Sequence, residues 1–328
     1  MDRLDRVRGM FMGVFLGDAL GAPFEWPTSK NVPYNGVLDK PTVYNSRWQG
    51  KKELQPGQYT DDSEMTITLM RSLARLSRYD NDDVLQNYLN WANSGTWCIG
   101  KNTAALLKGV TTIKGYQNRI ASVLSAPIEL RSQSNGSLMR ISPMALLPLG
   151  QVTDQNIINN TSITNPCPIN IEINIIYVHM LQVALQGATP EQIWQEGYRC
   201  VTLPELRAIF ESVSRDEKRD VVKNRAWVQH AFWMTLTILK RSACHFTDCL
   251  TWVIDGNRGS DTDTNAAISM ALLGAIKGYQ NISQDSTTAW NINKILTLDL
   301  RYGQLERPKC CEIDDFFQIT EHLCNVFQ

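Results

Sequence analysis

Four glycines, Gly9, Gly13, Gly17 and Gly21, recur at intervals of four within the apolar stretch from Leu4 to Leu20. Residues four apart share one face of a helix. Glycine there lowers helix propensity by roughly 1 kcal/mol relative to alanine and lets another backbone approach closely, so such a face implies tight packing. The rest of the pattern is helical too. Met65, Leu69, Leu73 and Leu76 form one stripe after Asp61, and Val84, Leu85, Tyr88 and Leu89 repeat it between Asp82 and Trp91, with Gly95 as the stop. Pro168 precedes a long apolar helix through Ile175, Ile176, Met180 and Leu181 to Gly187, and Thr189-Pro190-Glu191 reads as a cap, a first-turn proline and an acidic first turn. Ala226 to Lys240 reads as an aromatic-rich central helix, Thr247-Asp248 as the start of one ending near Gly256, and the stretch with Phe316, Phe317, Ile319, Leu323 and Phe327 as a packed terminal helix. These spacings predict an all-α protein.

The 328 residues contain no linker, repeat or low-complexity tract, which predicts a single domain over 1–328 with 280–328 as a C-terminal extension. One segment breaks the helical pattern. Residues 27–59 hold four prolines and the aromatics Tyr34, Tyr44, Trp48 and Tyr59, and a loop of that length with that content is expected to be an active-site loop.

With 32 basic and 33 acidic residues the net charge is −1, so no global field holds the protein on nucleic acid or an acidic membrane. The apolar run from Met10 to Leu16 is too short to span a bilayer, and the start of the chain shows no secretory signal. The eight cysteines lack any CxxC pair or zinc-finger spacing, so reduced thiols in a cytoplasmic, reducing compartment are expected. The four histidines, His179, His230, His245 and His322, are isolated from one another and none precedes an aspartate, which excludes the His-Asp pair of the helical HD phosphohydrolases. No GxSxG elbow, GxxxxGK[ST] loop or GxGxxG fingerprint is present.

The chemistry-bearing residues are Thr60-Asp61-Asp62 and Asp261-Thr262-Asp263-Thr264, each placed where a helix is expected to begin. Each alone suits an ordinary acidic helix start. Together they offer four carboxylates and hydroxyl groups, hard oxygen donors suited to Mg²⁺, Mn²⁺ or Ca²⁺ rather than zinc. If they converge, each close like-charge pair costs on the order of 4 kcal/mol at an effective dielectric of about 20, and two divalent cations would neutralise the four charges. Paired cations of that kind serve hydrolysis of oxygen-rich substrates. Gly17-Asp18-Ala19-Leu20-Gly21 and Glu25 add one acid within a helix and another near the long loop, and Ser134 to Arg140 reads as a small polar turn running into a helix interrupted near Pro143.

Taken in order, GDALGAPFE at Gly17 to Glu25, YTDDSEMT at Tyr59 to Thr66, NGSLMR at Asn135 to Arg140, and GSDTDTNAA with GAIKGY after it resemble the ADP-ribosylglycohydrolase family. The resemblance implies an all-helical domain with two Mg²⁺ or Mn²⁺ ions at the bottom of an ADP-ribose cleft. Thr60, Asp61, Asp62, Asp261, Asp263 and Thr264 then look like the metal ligands, and Glu25 like the loop acid that closes on metals or substrate. Ser134, Asn135, Gly136, Ser137 and Met139 look like the cradle for the diphosphate and distal ribose. The implied reaction is hydrolysis of the bond between the anomeric carbon of ADP-ribose and an acceptor on a protein or small molecule, with Asp62 or Glu25 taking the proton of the attacking water. An oxocarbenium-like transition state suits an acidic pocket. Two positions depart from the family pattern: Ser260 stands where glycine is common, and Asn165 where a histidine contacting the substrate side is often found. A monomer is expected, and a silent ADP-ribose-binding module or a recruited structural protein are the alternatives.

Overall fold

The computed structural model describes residues 1–25, 33–46 and 50–327. Fifteen α-helices are found among them. They are α1 (Arg3–Gly21), α2 (Asp61–Leu76), α3 (Asn81–Ala92), α4 (Lys101–Leu107), α5 (Ile113–Ser125), α6 (Gln151–Ser162), α7 (Pro168–Leu185) and α8 (Pro190–Arg199) in the first part of the chain. The second part holds α9 (Pro204–Ser214), α10 (Val228–Lys240), α11 (Phe246–Ile254), α12 (Thr262–Lys277), α13 (Tyr279–Ile282), α14 (Ser286–Leu296) and α15 (Phe316–Val326). The fold is all-α and forms one domain.

The glycine face of α1 meets α12. A β-carbon at Gly13 would lie 2.1 Å from the Met270 carbonyl oxygen, one at Gly17 2.5 Å from the Ala266 carbonyl carbon, and one at Gly21 2.6 Å from the Asp263 α-carbon. No side chain fits there. The contact therefore fixes where α12 begins, and the Thr262 hydroxyl closes it by donating to the Gly21 carbonyl at 2.8 Å. Around this pair pack α2, α7, α10, α11 and α15. Helix α7 has the length and apolarity of a membrane span, yet most of it is covered by neighbouring helices, as befits a core helix.

Several boundaries differ from the sequence expectation. Helix α12 starts at Thr262, so Asp263 and Thr264 lie in its first turn rather than before it. Pro168 and Pro190 occupy first-turn positions, and the Thr189 cap is a full capping box with Gln192. The 27–59 segment is not all loop: Thr42–Ser46 (β1) and Gly50–Leu54 (β2) pair antiparallel, with Thr42 opposite Leu54. Residues 27–32 and Trp48 lie outside the described residues. After the Ser134 turn the chain makes two short 3₁₀ turns, Asn135–Ser137 and Ser142–Leu146, in place of the expected interrupted helix, residues 133–135 being held by backbone bonds to 226–228 and Pro143 standing in the first turn of the second. The C-terminal segment is part of the same core, with Phe316 stacked edge-on against Phe15 of α1.

Candidate active site

Helix α2 begins at Thr60, an extended residue whose side chain does not cap its own helix. The missing cap comes from Asp18, on α1. Its carboxylate accepts the Thr60 amide at 3.0 Å and the Ser63 amide at 2.9 Å, with the Ser63 hydroxyl at 2.6 Å and the Thr60 hydroxyl at 2.8 Å. One buried acid thus satisfies the amides that a local cap would take. Asp261, at the N-cap of α12, also makes no capping bond; its Oδ2 accepts from Asn135 Nδ2 at 2.7 Å. The two acidic clusters are therefore not ordinary helix caps. Their carboxylates leave their own helix ends for a shared space.

In that space Asp62, Asp263 and Asp18 bring carboxylate oxygens within 4.8 Å of one another. Asp61 and Asp261 are buried with them, and Asp18 at 0 %, Asp62 at 1 % and Asp263 at 3 % exposure are the deepest of the five. Burial pushes Asp62 and Asp263 well above the usual carboxylate range, and neighbouring negative charges add to it: Asp18 first on Asp62, Glu25 first on Asp263. Burial raises Asp18 to about 6 despite its four donors, and raises Asp61 and Asp261 too. Asp62 Oδ1 is buried with no hydrogen-bond partner. An unpaired oxygen among like charges is the arrangement that a divalent cation corrects, and the donors are all hard oxygens. Asp61, Asp62, Asp261, Asp263 and the Thr60 and Thr264 hydroxyls could hold such ions.

Asp61, Asp62, Asp261 and Asp263 form the floor of a cavity of about 490 Å³ whose walls come from five separate stretches of chain, with Asp18 behind them. Glu25 stands on the wall, its Oε2 accepting from Tyr44 OH at 2.8 Å. Burial and then the Asp261 charge raise its pKa to about 8. Asp61 is fixed from the far side, where its two oxygens accept from Cys98 Sγ and the Gly100 amide, both at 3.1 Å. Ser134, Asn135, Gly136 and Met139 line the cavity, as the sequence expectation had them.

Three expected site residues do not line it. Thr60 lies beneath the floor, its hydroxyl 2.8 Å from Asp18 and 3.1 Å from Asp62. Ser137 is fully buried, its hydroxyl turned away to Asn174 at 3.2 Å. Asn165, also fully buried, donates to the Ser134 carbonyl and hydroxyl at 3.1 Å and to the Ser132 carbonyl at 3.3 Å, while accepting from Thr164. Both residues act behind the wall: their hydrogen bonds are spent on holding the 132–137 turn, so neither has a face left for a ligand. Ser260 is buried without a left-handed backbone, and the neighbouring Gly259 takes the positive φ of 84° instead, so a serine is tolerated there.

Asp18, Tyr44, Trp97, Cys98, Gly100, Lys101, Asn102 and Arg225 were not singled out as site residues by sequence reasoning. For most no local signal exists, since Tyr44, the 97–102 stretch and Arg225 reach the cavity from separate parts of the chain, while Asp18 acts from behind it through Thr60 and Ser63. Asp18 had one: it is an acid within the helix whose glycine face was expected to pack tightly.

The ADP-ribosylglycohydrolase family profile matches residues 1–306. The chain is 29% identical over 281 residues to the ADP-ribosyl-(dinitrogen reductase) glycohydrolase of Rhodospirillum rubrum, an alignment covering 85% of this chain and 87% of that one. It is 22% identical over 291 residues to an ADP-ribosylarginine hydrolase of Serratia proteamaculans, covering 86% of this chain and 74% of the relative. A solved structure titled ADP-ribosylglycohydrolase-related protein complex superposes with a TM-score of 0.69 at 22% identity, over 100% of this chain and 99% of that one, and so shares the fold. A helical hydrolase with an acidic cavity between two helix N-termini is the class these features define. This chain belongs to the ADP-ribosylglycohydrolase family.

Proposed function

We propose that this protein removes ADP-ribose from a modified acceptor by metal-dependent hydrolysis at the anomeric carbon of its ribose. The observation that carries the reading is the buried carboxylate floor with the unpartnered Asp62 Oδ1. Two divalent cations, Mg²⁺ or Mn²⁺, would supply the neutralising charge and the Lewis acidity toward ribose hydroxyls and water.

Thr60, Asp61, Asp62, Asp261, Asp263 and Thr264 are the ligands in this reading. Asp18 holds the start of α2, and Asn135 holds Asp261. Glu25 or Asp62 takes the proton of the attacking water in this reading, and the Tyr44 hydroxyl bonded to Glu25 supports Glu25. Lys101 and Arg225 also line the cavity, and Arg225 lies close enough to Glu25 and Asp261 to offset part of their charge. Such cationic groups beside the carboxylates suit a ligand that carries a diphosphate as well as ribose hydroxyls. Unpaired thiols at all eight cysteines support a reducing compartment. A monomer that binds neither nucleic acid nor membrane completes the reading.

The test is release of ADP-ribose from defined arginine-, serine- and ester-linked substrates with Mg²⁺, with Mn²⁺ and with chelator. Metal-dependent release from at least one linkage, lost in Asp61→Ala and Asp263→Ala proteins that keep their helical circular dichroism, is the expected result. Tight ADP-ribose binding without turnover of any linkage would instead make the protein a binding module.

A further inference from the structure

The histidines that look isolated in the sequence are not all isolated in the fold. At the junction of α6, α7 and α8, which contributes nothing to the acidic cavity, His179 of α7 meets Glu196 and Cys200 at the end of α8 and Asp154 of α6. Glu196 and Cys200 are four residues apart, which places carboxylate and thiol on one face of the helix end, toward α7.

The distances are those of a coordination shell. His179 Nδ1 lies 3.3 Å from Cys200 Sγ and 3.4 Å from Glu196 Oε1, and Sγ lies 3.7 Å from the same Oε1. Bond lengths of about 2.0–2.1 Å to nitrogen, 2.3 Å to sulfur and 2.0–2.2 Å to oxygen put the edges of a tetrahedral zinc site at roughly 3.3–3.6 Å. Cys200 and Glu196 are only partly buried, so solvent reaches the cluster to supply a fourth ligand.

The far side of the imidazole is set for the same purpose. His179 Nε2 is 2.7 Å from Asp154 Oδ1, and an ionised carboxylate can only accept, so Nε2 carries a hydrogen; in the neutral ring the lone pair then lies on Nδ1, which faces the centre of the cluster. A carboxylate behind a ligating histidine both orients the ring and raises its basicity. Within the cluster Cys200 Sγ faces both Nδ1 and Glu196 Oε1. Arg199, largely exposed, pairs with Glu196 at 2.6 and 3.0 Å, but each carboxylate oxygen keeps a second lone pair.

Cys200, His179 and Asp154 could also be read as a nucleophile with its base and orienting acid. The surroundings oppose that: burial and then the Glu196 charge push the Cys200 thiol up to about 11, away from a reactive thiolate. A bound cation reverses this preference, because coordination itself deprotonates a thiol. The mixed sulfur, nitrogen and oxygen set selects a borderline-soft ion, in contrast to the all-oxygen floor of the cavity.

We propose that His179 Nδ1, Cys200 Sγ and Glu196 Oε1 bind one Zn²⁺, with water in the fourth position and Asp154 as the positioning carboxylate, and that this ion fastens α8 to α7. Binding releases the Cys200 proton. The site stands independently of the hydrolase reading, since none of its residues touches the cavity.

The test uses the full chain in saturating Mg²⁺, so that hard-oxygen sites are filled. One Zn²⁺ per chain should be captured against a chromophoric chelator, and Co²⁺ in its place should give the near-ultraviolet thiolate-to-cobalt absorption that oxygen ligands cannot produce. Cys200→Ser should abolish that band, Asp154→Asn should weaken zinc binding about tenfold to a hundredfold, and ADP-ribose release should be unchanged in both. Should Cys200→Ser fail to fold, Glu196→Gln serves in its place, retaining the thiolate band but losing tenfold or more in zinc affinity. Native protein that captures no zinc, or a cobalt complex with no thiolate band, overturns the proposal.

Discussion

Two buried carboxylates lie two residues apart at the start of α2 and have opposite fates. Glu64, 2% exposed, receives Arg307 Nε at 2.8 and 3.1 Å, Arg307 Nη2 at 3.0 Å and Trp91 Nε1 at 2.7 Å. Its charge is cancelled and both its oxygens are used. Asp62, 1% exposed, faces Asp18, Asp61 and Asp261, and one of its oxygens has no partner at all. The chain supplies its own cation to the first and a ring of anions to the second. The contrast separates a structural buried acid, complete within the fold, from one that requires something the fold does not contain.

The largest effect should come from breaking the completed pair. Arg307→Met leaves Glu64 buried and uncompensated and is expected to destabilise the protein by about 3–5 kcal/mol, read from the denaturant midpoint. Pairing it with Glu64→Leu should recover much of that loss; a double variant as unstable as the single one would show that the ion pair is not the cause.

Asp62→Asn should do the reverse. Removing a charge from among like charges leaves metal-free stability unchanged or higher, while ADP-ribose release falls by about a hundredfold to a thousandfold and the rise in melting temperature with Mg²⁺ disappears. Loss of metal-free stability as large as that of Arg307→Met would erase the distinction between the two sites.

The same imbalance gives a pH dependence. In the folded, metal-free protein Asp18 and Glu25 titrate at about 6 and about 8, above their ordinary values of 3.8 and 4.5. Between those limits the native state binds more protons than the unfolded one, so stability falls as pH rises from about 4 to about 8, by on the order of a few kcal/mol. The positive charge of Mg²⁺ held on the neighbouring carboxylates disfavours those protons, and its stabilisation should therefore be larger at the upper end of that range. A calorimetric series with and without Mg²⁺ reads both; stability that rises over this window in the absence of metal contradicts the assignment.

The smallest expected effect is at the wall. Asn165→Ala removes the donor to Ser132 and Ser134 without touching the cavity, and should cost about 1–3 kcal/mol of stability while raising KM for the ADP-ribosylated substrate more than it lowers kcat. A kcat loss equal to that of Asp62→Asn would move Asn165 from positioning into the reaction itself.

Much of the scaffold was legible because helical periodicity and caps are local. The α1 glycine face, the α2 and α3 stripes and the Thr189 cap all follow from spacing alone, and each appears in the fold within a residue or two. The β1–β2 hairpin was not legible: Thr42–Ser46 and Gly50–Leu54 lie in a proline-bearing stretch with little apolar alternation, and the second strand, GKKEL, is mostly charged or exposed. The turn at Ser134 misled for a related reason, since residues 133–135 are held by backbone hydrogen bonds to the 226–228 segment rather than by a helical pattern of their own.

By itself the sequence determined the kind of elements, the residue types available for a hard-metal site and, through four ordered blocks, the family. Tertiary structure alone decided which acids share a charge environment. Asp62 and Glu64 differ because α1 delivers Asp18 to one and the chain near Arg307 delivers a guanidinium to the other, and His179 becomes a member of a cluster because α8 lies against α7. Charge interactions act through space over a few ångström, whereas local pattern reports only neighbours along the chain, so the partner of a buried acid is fixed by packing.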